Sequence, residues 1–192
     1  MKKALFLFPL LLVACKGTPP GSGISLEQRL ENPLFAEVYY DVLLDRMVEL
    51  DIQDDPILKD EDKAEIVEDT RRNALAKAKV ANTKQREGMM GNFVPITEET
   101  KGEALFVDST LYFGPTFEAN PGPSVHVLLT TVVDPREGTF PDETVIDIGP
   151  LESPFGAQAI MVPAMEDASK YRTVVLWDTE LERIHGFAQL SK

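Results

Sequence analysis

One cysteine and two histidines stand in 192 residues. A single thiol excludes an intrachain disulfide, a dithiol redox pair and a cysteine-rich metal cluster. Two histidines leave little material for a histidine-based metal centre, and no H-x-H or H-x-x-x-H spacing joins them. The sequence also lacks a P-loop, a G-x-S-x-G elbow, an H-E-x-x-H helix, a G-x-G-x-x-G turn and any paired-carboxylate signature. Long apolar runs are missing too. Ala4 to Ala14 reaches about half of the roughly 20 residues that a membrane-spanning helix needs. Basic charge is scarce: the formal net charge is −13, and −15 without Lys2 and Lys3. That balance argues against nucleic acid and against electrostatic adhesion to anionic lipid. It otherwise serves solubility.

What is present begins at the amino end. Met1-Lys2-Lys3 is a short basic stretch ahead of an uncharged apolar core, the pattern of a secretory signal. Leu12-Val13-Ala14-Cys15 resembles the lipobox of bacterial lipoproteins. The resemblance implies a signal peptide over residues 1–14, cleavage before Cys15 and lipidation at Cys15. Stable anchoring needs more than one acyl chain, which acylation of thiol and amine together supplies. Residues 15–24 then form the lipidated cysteine and a flexible Gly/Pro/Ser-rich tether. Lys16 stands where lipoproteins kept in an inner membrane often carry Asp. The resemblance therefore implies a bacterial cell envelope location, at an outer membrane or cell surface if the cell has two membranes.

Residues 25–88 read as a helical hairpin. Asn32-Pro33 is a helix start, with Asn as cap and Pro at the first helical position. Leu34, Phe35, Val38, Tyr39, Val42, Leu43, Met47 and Leu50 recur at helical spacing, and the face with Phe35, Val38, Val42 and Met47 is expected to be buried. Asp60 can cap a second helix with an apolar side at Ala64, Val67, Ala74, Leu75, Ala78 and Ala81, ended by Gly88. Residues 91–192 change grammar. Short β-branched and aromatic runs begin at Ala104, Thr110, Val125, Thr144, Ala157, Thr173 and Ile184, between turns such as Asn120-Pro121-Gly122-Pro123. The expected fold is α+β overall: a helical hairpin, then an all-β sandwich or small barrel.

The β part carries ordered signposts. They include Gly91-Asn92-Phe93, Leu111-Tyr112-Phe113, Asp147-Ile148-Gly149-Pro150-Leu151, Val162-Pro163, Tyr171 to Trp177 and Gly186-Phe187-Ala188-Gln189-Leu190. In these it resembles the DM-thirteen domain, the electron-transfer DM domain that accompanies DOMON domains. The resemblance implies a redox role leaning on a cysteine directly after the tryptophan. Here Trp177 is followed by Asp178, which has no accessible redox chemistry. Asp178 is the family-equivalent position of the missing cysteine. The plain expectation is a strand-end residue near water, pairing with Arg183 across a turn at Glu180-Leu181, with Trp177 buried. The alternative is a functional site in which Asp178 contacts a metal or haem edge.

Other candidates are few. His126 and His185 could join Asp178 as metal ligands or serve haem, with Met89, Met90, Met161 and Met165 also available. Exposed or half-buried strand histidines, and packing of Met89-Met90 at the helix–β junction, are the simpler expectation. Asp134, Glu137, Asp142, Glu143 and Asp147 make an acidic loop without a calcium-loop pattern. No catalytic residue, cofactor or metal is predicted. The expected function is a membrane-anchored, non-enzymatic binding or interaction module, with the membrane and an envelope protein or ligand as partners and no nucleic acid. The alternative is an electron-transfer or redox accessory protein, with haem or metal entering only on that reading.

Overall fold

The computed structural model describes residues 24–192. The expected signal peptide, Cys15 and all but the last residue of the expected tether fall outside the described residues.

A short helix, α1 (Leu26–Leu30), opens with a reciprocal cap between Ser25 and Gln28. The hairpin follows as α2 (Pro33–Ile52) and α3 (Glu61–Glu87), joined through a 3-10 turn at Pro56–Lys59. Both start where the capping chemistry predicts. Asn32 Oδ1 accepts from the N–H groups of Leu34 and Phe35, and Asp60 Oδ1 accepts from that of Lys63. Gln85 near the end of α3 donates to the Pro33 carbonyl and to Glu37, so the helices run antiparallel.

The buried face of α2 differs from the expected one. Val38 and Val42 are 47% and 63% exposed, and Phe35 and Met47 are half-buried. Leu34, Ala36 and Leu50 are the buried apolar side chains after Pro33. Apolar residues lie on nearly every side of this helix, so spacing alone does not select the inward stripe. Packing along α3 does, together with contact between Leu34 and the β domain at the base. On α3, Val67, Ala74, Ala78 and Ala81 are buried as expected, but Leu75 lies about 100° around the helix from Ala74 and is exposed.

The β part is a nearly closed antiparallel sheet, part barrel and part sandwich. Its strands are β1 (Met89–Pro95), β3 (Glu103–Val107), β4 (Thr110–Phe113), β6 (Val125–Thr130), β7 (Ile146–Pro150), β8 (Gln158–Met161), β9 (Thr173–Asp178) and β10 (Arg183–Gln189), in spatial order β7-β6-β9-β10-β1-β3-β4-β8. A separate ribbon pairs β2 (Thr100–Lys101) with β5 (Glu118–Ala119). β1 joins the two halves of the sheet, pairing with β10 on one side and β3 on the other. Its Gly91, Asn92 and Pro95 mask its strand character in the sequence.

Enclosed by the sheet, Phe93, Phe113 and Phe117 pack with ring centroids 4.5–5.3 Å apart, among Leu111, Val127, Leu129, Val174 and Leu176. A second cluster, Leu128, Val175, Trp177 and Phe187, lies on the other face of β9. It is covered by Phe140, whose ring meets Trp177 edge-on at 5.3 Å. The hairpin docks at its base. Leu34 packs with Leu105 and Val107, and Asn32 Nδ2 donates to the carbonyls of Phe113 (2.8 Å) and Gln158 (3.3 Å). α3 passes into β1 through Gly88 alone. A Cβ on Gly88 would lie 2.6 Å from Leu105 Cδ1 and 2.7 Å from the Phe106 carbonyl oxygen.

Candidate functional site beneath the Asn120–Pro123 loop

Strand alternation puts Val174, Leu176 and Asp178 on one face of β9, with Val175 and Trp177 on the other. The first two belong to the enclosed core. Asp178 therefore stands at the end of a row that points into the domain, and its side chain is fully buried. The opposing strand breaks its alternation here. Ile184 pairs with Trp177, but Gly186 pairs with Leu176, leaving His185 as the extra residue of a β-bulge. A bulge re-aims a side chain. His185 is turned inward and is also fully buried.

The two side chains are fixed by backbone. Asp178 Oδ1 accepts from the N–H groups of Glu180 and Leu181, each at 3.0 Å, in the turn to β10. His185 Nδ1 lies 3.2 Å from the Asn120 carbonyl, which can only accept, so Nδ1 carries the hydrogen. Nε2 faces Asp178 Oδ2 at 3.6 Å, and neither atom has a hydrogen-bond partner. Burial works against the charge on Asp178. The N–H groups of Leu181 and Glu180, the nearby His185 and the Ser124 backbone outweigh it and hold the carboxyl below its ordinary value.

The loop Asn120-Pro121-Gly122-Pro123 covers the pair. A Cβ on Gly122 would sit 3.0 Å from His185 Cε1 and closer still to Asp178 Oδ2, so only glycine fits against them. The loop is tied to the β9–β10 turn, because Thr179 donates its N–H to the Ser124 carbonyl at 2.9 Å.

This arrangement corrects the plain expectation for Asp178 and His185, neither of which is near water. Arg183 does oppose Asp178 in the strand register, but its guanidinium bonds Glu98 at 2.5 Å. Trp177 is buried on the opposite face from Asp178. The expected alternative trio is not assembled either. His126 is half-buried and its Nδ1 meets Asp147 Oδ2 at 2.8 Å. Met161 is exposed, whereas Met89 and Met165 pack against the core. In the acidic loop, Asp134 binds Arg136, and Asp142 is held by Thr130 and Thr144. Among the described residues, no three His, Cys, Asp or Glu side chains converge as a metal cluster.

With the strand order and the Trp177-Asp178 corner in place, comparison with known families is informative. The model of a family described as "Electron transfer DM13" matches residues 92–190. The chain belongs to that family. The match begins inside β1 and ends just past β10, so the DM13 domain is the β domain and the hairpin lies outside it. No curated protein and no solved structure matches the chain. Among the described residues, no helix is long and apolar enough to cross a membrane.

Proposed function

We propose that the chain is a lipid-anchored envelope protein whose DM13 domain is a non-enzymatic binding module held at a membrane. One observation carries this reading. The corner after Trp177, where the family resemblance implies a thiol, holds a buried carboxylate clamped by two backbone N–H groups. The sole cysteine, Cys15, instead follows the apolar run Ala4–Ala14. The DM13 domain therefore has no thiolate for redox exchange, and the position of Cys15 behind an apolar run supports lipidation there.

The Cys15→Ser variant tests the anchor. It is expected to leave the membrane fraction or to retain residues 1–14. A variant that loses residues 1–14 and still stays with membranes after a high-salt wash overturns the anchoring. The family description favours a second reading, an electron-transfer accessory protein. The visible spectrum of the chain purified from its own cell decides between the two. The binding-module reading expects no visible absorbance, and a haem-like or other chromophore replaces it with the second.

A further inference from the structure

We propose that β8 is the docking edge for a second copy of this chain, the two β8 strands pairing antiparallel across a two-fold axis centred on Ile160. The hydrogen-bond phase of the sheet points there. Val162 donates its N–H to the Ser109 carbonyl, and Gly114 donates its own to the Glu103 carbonyl. Bonded and non-bonded pairs alternate along an antiparallel ladder. Thr110 and Tyr112 of β4 therefore bond β3, while Ser109, Leu111 and Phe113 bond Val162, Ile160 and Gln158. Ala159 and Met161 turn their N–H and C=O groups the other way. β8 ends the sheet on that side, and among the described residues no loop or side chain bonds those groups.

The sheet has two end strands, and only one is defended. An unpaired edge is a template for another chain, and folded proteins blunt it with charge, proline or bulges. β7, the opposite end strand, has all three: Asp147, Pro150 and a bulge in its pairing with β6 between Val127 and Leu128. β8 reads Gln-Ala-Ile-Met, and no charged residue lies between Pro154 and Met165. In a chain of formal charge −13, such an uncharged stretch is where a like-charged copy can approach. The register is also self-complementary. A two-fold axis at Ile160 sets Ala159 of each copy opposite Met161 of the other, and each such pair exchanges two N–H···O bonds. Both side chains are exposed, Met161 by 75%, so the long Met161 lies beside the short Ala159 of the second copy. A second copy is favoured over a foreign strand because its own sequence supplies both the register and the lack of charge. The contact closes on itself, which covers the edge without starting a fibre.

Sedimentation equilibrium of the full chain in density-matched detergent, from about 1 to 500 μM, tests the pairing. The parent chain is expected to reach the dimer mass within that range. Ala159→Pro removes only an N–H that points away from β4, a position where an edge strand accepts proline. It is expected to leave the circular dichroism unchanged and to weaken self-association about tenfold or more. Val133→Lys, at an exposed loop position, leaves the dimer unchanged. A parent chain that stays monomeric throughout, or an Ala159→Pro chain that dimerises as well as the parent, overturns the proposal. If Ala159→Pro does not fold, amide hydrogen exchange of the parent chain decides. Exchange at Ala159 and Met161 is expected to slow as concentration rises, and rates that ignore concentration overturn the pairing. A monomeric chain purified with another polypeptide that Ala159→Pro releases gives the edge to that partner and overturns the second copy. Because sedimentation reads β8 while fractionation reads Cys15, either proposal can fail without the other.

Discussion

Val42 on α2 and Val174 on β9 carry the same side chain, yet the first is 63% exposed and the second fully buried. The sheet curls around its apolar residues and adds a second cluster on its outer face. The hairpin has only a narrow inward seam, rich in alanine, and a docked base at Leu34 and Asn32. Apolar character alone therefore does not mark the core. What marks it is whether a second layer exists to cover the residue, and among the described residues only the family-matched part supplies two covered faces.

The sharpest way to break that contrast is in the sheet. Phe113→Ala empties the centre of the aromatic trio and is expected to cost about 3–5 kcal/mol by denaturant unfolding. A loss under about 1 kcal/mol would place the core elsewhere. Next comes the hinge between the two parts. Asn32→Ala removes a helix cap and strips the amide from two buried carbonyls, with an expected cost of about 2 kcal/mol. Loss of α2 helicity by circular dichroism before the sheet melts would accompany it. On the outer side of α2, changing Val38 and Val42 together to Asp is expected to alter stability by no more than about 0.5–1 kcal/mol. Unfolding of that double variant would show the stripe to be covered. The smallest effect is in the acidic loop. The side-chain hydrogen bond from Arg136 leads the causes that lower the Asp134 carboxyl from 3.8 to about 2. Because the folded value is depressed, the pair's stabilisation is present above about pH 4 and lost as pH falls through about 2. Carboxyl carbon NMR of Asp134 checks this, and a midpoint near 3.8 would show the pair to be open in solution.

Much of the fold is legible in the sequence, and most of the site is not. Asn32, Asp60 and Gly88 mark the helix ends because capping is local chemistry. Seven strands announce themselves through β-branched and aromatic runs. β1 does not, since glycine, asparagine and proline suit it to a central position only through its neighbours. The inward face of α2 is set by α3 along its length and, at Leu34, by Leu105 and Val107, about 70 residues away in the chain. His185 is the clearest miss. Period-two reasoning fails wherever a bulge adds a residue, and nothing in Ile184-His185-Gly186 declares one apart from the glycine. Asp178 stands out in sequence only through the resemblance. Its burial depends on the Asn120–Pro123 loop, whose turn residues are evident but whose destination is not.

The passage from α3 to β1 through one glycine makes the hairpin a lever. Twenty-seven residues at about 1.5 Å each form a rod of roughly 40 Å, clamped at its foot to a strand that is itself bonded on both sides. A tilt of about 3° at Gly88 sweeps the tip near Asp60 through roughly 2 Å. Small changes in the twist of β1 are thus magnified at the far end of the hairpin, and a sideways push on the tip bears on the β1–β3 pairing from Met89 to Asn92.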